Sequence, residues 1–399
     1  TGKTTGIIQW MKEHPNEKYL YVSPMLSEVE ERIPQQASDL DFHYPISDNC
    51  TKSESLLSLL EQGVNISFTH SLFQSLSKKH LDLIKQKEYI LIIDEEVGLI
   101  ESYSGRYTKG DISFLLDSKS IEIDYEHFGE INWIGGDIDL SAAYSNFKRM
   151  CDASSLYITK GARDMLISQL PIQLVISSKR TIILTYMFEG SVMESFLKLR
   201  GVTIKPFEEV KLIKCPKQVV RDAKNLITIK TTPSIGKIER YNLSSVWWSR
   251  TANKEQLKEV TAAIRSVYRK QDTDVKKMLL TIPKDNSEKM IGSRRNPRFV
   301  LPRGVNADDV FLYSAARATN KYSDRDLLIH GYNRFINVPV KTYFNDYGEG
   351  IHPKEDVFAL SEMVQWIWRS AIRNDKPITL YILNKRMREL LENWLNNNM

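Results

Sequence analysis

Two short stretches carry residues whose types and spacing could do chemistry. The run Tyr89-Ile90-Leu91-Ile92-Ile93 leads straight into Asp94-Glu95-Glu96. Five apolar residues suit a strand buried on both faces of a parallel sheet, and open α/β sheets hold ligands at the carboxyl ends of such strands. There Asp94 can hold Mg²⁺ beside phosphates, and Glu95 can orient and polarise an attacking water. The first line of the chain, Thr1-Gly2-Lys3-Thr4-Thr5, reads as the back half of a phosphate-binding loop, G-x-x-x-x-G-K-[ST]. Gly2 lets backbone amides approach the phosphates, Lys3 reaches the β/γ oxygens, and the hydroxyl of Thr4 takes Mg²⁺. Beginning at Thr4-Thr5, a helix over Thr4 to Lys12 would point its amino end at the anion.

Alone, each stretch has an ordinary alternative: a strand ending in a solvated acidic turn, or a chance Gly-Lys-Thr. In this order and separation they predict a P-loop ATPase that uses ATP and Mg²⁺. The first glycine of the loop motif would lie upstream of Thr1, and the chain does not open on Met. A fragment cut inside its own nucleotide site is the expectation.

A third stretch lies near the other end. A helix over Ser361 to Ala371 would carry Gln365, Arg369 and Arg373, and a spacing of four would put all three on one face. A guanidinium aimed at a transferring phosphoryl group stabilises its charge, as an arginine finger does. The competing reading is a surface Arg pair on an amphipathic helix with Val364, Trp368 and Ile372 on its apolar face.

The elements that must position these residues alternate. Lys18 to Pro24, Val64 to His70, Tyr89 to Ile93 and Thr181 to Tyr186 read as strands, with helices at Glu28 to Arg32, Ser71 to Ser77 and Val192 to Leu199 and a short strand at Val202 to Pro206. Alternation of this kind predicts an α/β fold with a parallel sheet covered on both faces. Residues Glu101 to Arg180 are far longer than a plain connection and read as an insertion, with Tyr157 to Leu170 helical. In it, Asp137 and Asp139 are conceivable metal ligands, with a solvated turn as the alternative. A junction falls in the mixed, basic stretch Lys211 to Lys237. Beyond it the α/β pattern restarts: helix Lys254 to Lys270, strand Lys277 to Ile282, a basic loop with Arg294, Arg295, Arg298 and Arg303, and β runs at Val310 to Ser314, Leu327 to His330 and Val338 to Phe344. Strand Ile378 to Leu383 and helix Lys385 to Leu395 close the chain.

Composition narrows the class. With 399 residues, 42% of them hydrophobic, two or three domains can each bury a core. No apolar run is long enough to span a membrane. Cys50, Cys151 and Cys215 are scattered, fitting neither a disulfide frame nor a zinc site, which points to a reducing compartment such as the cytoplasm. A net charge of +5 leans mildly toward polyanions.

In its order of motifs the chain resembles the superfamily 2 helicases and translocases, in a form typical of bacteriophage-encoded proteins. Gly2-Lys3-Thr4 resembles motif I, Ser23-Pro24 motif Ia, Thr69-His70 the threonine-bearing strand end before motif II, and Asp94-Glu95-Glu96-Val97 motif II, with Val97 where Asp or His is usual. Leu184-Thr185-Tyr186 stands at motif III, and Ser314 to Asn320, with Arg317 and Thr319, resembles motif V. Gln365 to Arg373 resembles motif VI, Q-x-x-G-R-x-x-R, with Trp368 replacing the glycine and Arg373 one residue late. The resemblance implies two RecA-like parallel-sheet domains in tandem, residues 1–215 with an insertion at about 101–180 and residues 216–399. They would bind ATP through Gly2, Lys3, Thr4, Thr5 and Gln365, and Mg²⁺ through Thr4 and Asp94. Lys3, Asp94, Glu95, Arg369 and Arg373 would do the chemistry. Ser23, Pro24, Thr69, His70, Arg317 and Thr319 would contact nucleic acid, DNA ahead of RNA, in phage replication or recombination in the host cytoplasm. Two competitors stand beside it: a phage DNA-packaging motor, whose nuclease half would need Asp308, Asp309, Asp324 and Asp326 to converge, and a degenerate module that binds nucleic acid without hydrolysis.

Overall fold

The computed structural model describes residues 2–48, 50–105, 107–136, 142–161, 165–270, 277–284, 307–314 and 321–396. The expectations for Asp137, Asp139, the four arginines of the basic loop, Arg317 and Thr319 lie outside the described residues, as does the side chain of Asp308. The chain forms two compact units, one of Gly2–Ile213 with Ile336–Lys354, the other of Lys214–Phe335 with Glu355–Met399.

The first unit is built on a parallel sheet in the order Arg180–Leu184, Ile90–Asp94, Tyr19–Ser23, Asn65–Thr69, Phe42–His43. Tyr19–Ser23 is buried at every position, as a strand covered on both faces must be. Helix Lys3–Glu13 covers one face, packing Ile7, Trp10 and Met11 with Tyr19, Tyr21, Ile92 and Ile182. The register aligns Ser23 with Thr69, and Leu184 with Asp94, so the polar strand ends come out along one edge of the sheet.

Between that sheet's last two strands in sequence lies an antiparallel sheet of Ile100–Ser102, Leu166–Gln169, Leu156–Ile158, Glu130–Trp133 and Ile121–Asp124. Helices Lys109–Asp117 and Ala142–Asp152 belong with it, and its core gathers Ile112, Leu115, Ile131, Phe147, Leu156, Ile158 and Leu166. The helix expected over Tyr157 to Leu170 is therefore two short strands. Pairing in the sheet satisfies their backbone, and alternation delivers Leu156, Ile158 and Leu166 to the core. The β run expected at Val338 to Phe344 is a helix, Val338–Tyr347, and it folds with this unit although it comes from the second half of the chain. Pro339 in its first turn suits a helix start and could not serve a sheet ladder. Tyr347 donates to the carbonyl of Ile158 at 3.0 Å, and the Tyr343 and Tyr157 rings meet edge to face. Val202 to Pro206, expected as a strand, joins none of the sheets.

The second unit holds a parallel sheet in the order Ile227–Lys230, Ile378–Ile382, Leu327–His330, Met278–Thr281. Helix Lys254–Lys270 packs on it through Val260, Ala263, Ile264 and Val267. The strand expected at Val310 to Ser314 is the end of a short helix, Ala307–Val310, followed by a single bridge from Phe311 to Leu280. The helix expected over Ser361 to Ala371 begins earlier and stops earlier, at Glu355–Ile367. Its last turn tightens, with Arg369 N–H on Trp366 O and Ser370 N–H on Ile367 O; then Ser370 turns extended and Ala371 N–H bonds Arg325 O. Gln365, Arg369 and Arg373 therefore do not share one helical face. Among the described residues no helix is long and apolar enough to cross a membrane.

Candidate nucleotide site

The site is built at the carboxyl edge of the first parallel sheet. Helix Lys3–Glu13 starts there, with Gly2 in the left-handed region at φ 72° as its cap. A Cβ on Gly2 would lie 2.5 Å from Cγ1 of Ile213, so both backbone conformation and space require glycine. The hydroxyl of Thr4 reaches Asp94 Oδ2 at 3.4 Å, and the phenol of Tyr21 donates to the same oxygen at 2.7 Å. Tyr21 is fully buried, and Asp94 takes the one polar atom it has to place.

Electrostatics at this corner are opposed pairs. Burial pulls the Lys3 ammonium below its usual pKa, against the carboxylates of Asp94, Glu95 and Glu96, which pull it up. Burial raises the Asp94 carboxyl above the ordinary range, with Glu95 adding to the rise, while the Tyr21 hydrogen bond and Lys3 hold it down. The arrangement suits a polyanion accompanied by a hard cation. Thr4 and Asp94 offer hydroxyl and carboxylate oxygens, the donors Mg²⁺ prefers, and neighbouring ligands of that ion sit roughly 3 Å apart. The observed 3.4 Å between them fits.

Glu95 follows with φ 64°, a left-handed conformation that costs a non-glycine residue roughly 1–2 kcal/mol. Its N–H bonds Leu184 O at 3.0 Å, extending the ladder one step past the strand. Thr185 donates to Glu96 at 3.5 Å, and Val97 is buried. Glu95 is one of ten described non-glycine residues at positive φ, and it is set apart by following Asp94 of the metal-type donor pair directly.

Of the other sequence-derived candidates, Thr5 is exposed, and Pro24 and Thr69 are half-buried at neighbouring strand ends. Ser23 is 1% and His70 7% exposed. The His70 ring nitrogen Nε2 lies 2.9 Å from Asp94 O, so that side chain faces the acidic turn. In the second unit, Gln365 donates to Ser361 Oγ at 3.0 Å, Arg369 is half-buried, and Arg373 is exposed on a short helix, Ala371–Asn374. Tyr21 is the residue that the sequence reading missed. Its signal was available: a phenol in a strand buried at every position needs a polar partner.

Comparisons agree with this architecture. Residues 221–395 match a family model described as the YonV C-terminal Rossmann-like domain. The whole chain is similar to an SPbeta prophage-derived uncharacterized protein, YonV, of Bacillus subtilis strain 168, at 28% identity over 97% of that protein. Among solved structures, an XPD helicase superposes on all of this chain and 93% of its own with a TM-score of 0.54 at 11% identity. The fold is thus α/β and XPD-helicase-like, with tandem Rossmann-like parallel sheets.

Proposed function

We propose that the protein is an ATP-dependent helicase or translocase of superfamily 2, in a bacteriophage-type form, moving on nucleic acid with DNA preferred to RNA. The observation that carries the reading is the meeting of Lys3, Thr4 and Asp94 at the carboxyl edge of a parallel sheet, with the strained Glu95 next in line. The helicase-like fold supports it, and the prophage origin of the Bacillus relative supports the phage setting, in the host cytoplasm.

Each residue then has a task. Gly2 and the amide-rich start of the first helix receive the phosphates, and Lys3 neutralises the β/γ oxygens. Thr4 and Asp94 would hold Mg²⁺, which when bound supplies charge neutralisation on the transferring phosphoryl group. Glu95 orients the attacking water and takes its proton. Gln365, Arg369 and Arg373 of the second lobe sense the γ-phosphate, and Pro24 and Thr69, with Arg317 and Thr319, contact the nucleic-acid backbone. Buried Ser23 and His70 are left to shape the site rather than to touch the track. We take residues 1–215 as the ATP-binding lobe and 216–399 as the second, with Ile336–Lys354 folding beside the insertion. The packaging-motor alternative is not adopted: Asp309, Asp324 and Asp326 each face a basic side chain, Lys321, Arg325 and Lys277, instead of one another.

The test is Glu95→Gln in the full-length protein, assayed for ATP turnover with and without single-stranded DNA. Loss of the base should lower kcat about 100-fold or more while ATP still binds. Turnover undiminished by the substitution would reject the assignment.

A further inference from the structure

We propose that His70 is the positioning residue of the acidic turn, fixing the backbone that aims Glu95; this rests on the hydrolytic reading above. The peptide unit joining Asp94 to Glu95 is gripped at both of its polar atoms. Its carbonyl oxygen faces His70 Nε2 at 2.9 Å, and its N–H bonds Leu184 O at 3.0 Å. A planar peptide held at both ends cannot rotate, and its plane sets the φ of the residue that follows. That residue is Glu95, at φ 64°. Without the His70 contact the peptide is held only at its N–H, its plane can tilt about that bond, Glu95 can relax toward negative φ, and its carboxylate moves off the line of attack.

The element carrying His70 is shaped for this task. Strand Asn65–Thr69 delivers helix His70–Gln74, whose first turn is capped by Thr69 accepting from Leu72 N–H at 3.4 Å. Residue one of the helix meets the turn at Asp94, and residue five meets its far side, with Gln74 donating to Gly98 O at 3.3 Å. Glu95, Glu96 and buried Val97 lie between the two anchors. Because a carbonyl only accepts, Nε2 must carry the proton, and His70 serves as a donor. A histidine at this depth, 7% exposed, is thus tied to the turn instead of to solvent.

The experiment compares His70→Gln, whose side-chain amide reaches to the same carbonyl, with His70→Met, of similar size and without a donor, alongside His70→Ala and Glu95→Gln. Each is assayed in the full-length protein for kcat, KM for ATP and affinity for a fluorescent ATP analogue. Misaiming a catalytic group should lower kcat about 10- to 100-fold in the Met and Ala variants, with KM and analogue affinity near wild type and Gln restoring most of the rate. The proposal is overturned if Met turns over as fast as wild type while Glu95→Gln is dead, if Gln is as slow as Met, or if KM rises in step as kcat falls. Should Glu95→Gln itself stay active, the hydrolytic reading goes and this one with it. The Gln and Met pair keeps the contrast readable if the Ala variant does not fold.

Discussion

The two parallel sheets end very differently at their carboxyl edges. In the first, the last residues are charged and mutually engaged: Asp94 takes hydrogen bonds from Thr4 and Tyr21, and Lys3 feels three carboxylates at once. In the second, the registered pair Thr281 and His330 closes adjacent strands in a dry interior, both at 0% exposure. His330 packs edge to face with Trp366, and among the described residues neither ring nitrogen has a hydrogen-bond partner. Burial, helped by the charge of Arg334, pushes its pKa down to about 3, so it is neutral at pH 7. One topology therefore supports two uses. An edge that keeps opposed charges half-solvated can exchange them for a charged ligand. At the second edge the registered pair is buried and uncharged, and the charge sits instead on exposed Lys230 at the end of the outermost strand.

The largest effect should come from removing the cation at the first edge. Lys3→Met should lower ATP turnover about 100-fold or more, the scale lost with one preorganised electrostatic contact to a developing charge. His330→Phe, measured beside it, should leave turnover within about twofold of wild type at neutral pH, since a neutral buried ring is exchanged for another of similar size. Equal losses in the two variants would break the contrast between the edges.

Stability against acid gives the second, smaller contrast. In the unfolded chain His330 takes a proton as pH falls through 6.5, and in the folded chain only near 3. Between those values the unfolded state binds more protons, so stability falls with falling pH by about 1.4 kcal/mol per unit, about 2.7 kcal/mol by pH 4.5. Above pH 6.5 the residue contributes no slope. Urea melts of wild type and His330→Phe at pH 7 and 4.5 read this directly, because the carboxylates are common to both. The variant should lose less stability on acidification. Parallel losses would mean that His330 already exchanges protons with solvent in the native state.

How much of this could be read from residues alone depended on the range of the interaction that decides each feature. The acidic strand was legible because burial on both faces imposes a continuous apolar run, Ile90 to Ile93, which ends at half-buried Asp94. The glycine-capped start of the first helix was legible because Gly2, Lys3 and Thr4 are neighbours in sequence. Helix Lys254–Lys270 came through intact because its apolar stripe runs for several turns. The strands of the insertion did not, since three or four residues, as in Leu156–Ile158 and Leu166–Gln169, are too few to establish a period of two. The end of helix Glu355–Ile367 was hidden for a different reason. Trp368 and Ile372 prolong the helical pattern in sequence, but Ala371 N–H is claimed by Arg325 O, 46 residues away. Likewise His70 read as a surface contact because its acceptor, Asp94 O, lies 24 residues further on.

Tyr21 sharpens the contrast from inside the first edge, where the expected effect is the smallest. Its phenol takes one lone pair of Asp94 Oδ2, the oxygen that also faces Thr4, and so fixes the plane of the carboxylate. Tyr21→Phe keeps the ring and its packing against the first helix and deletes only that bond. Asp94 still has Thr4 and Lys3, so stability should drop by only about 1–2 kcal/mol, the scale of one buried hydrogen bond. For a carboxylate proposed to hold Mg²⁺, a partner that orients it matters more for the metal than for the fold. The Mg²⁺ concentration for half-maximal turnover should therefore rise about tenfold, with kcat at saturating Mg²⁺ close to wild type. Titrating Mg²⁺ against ATP turnover in both proteins separates the two roles. A rise in the Mg²⁺ requirement identifies the phenol as part of the ionic edge; an unchanged requirement with the same stability loss would make Tyr21 a core residue like those of the second sheet.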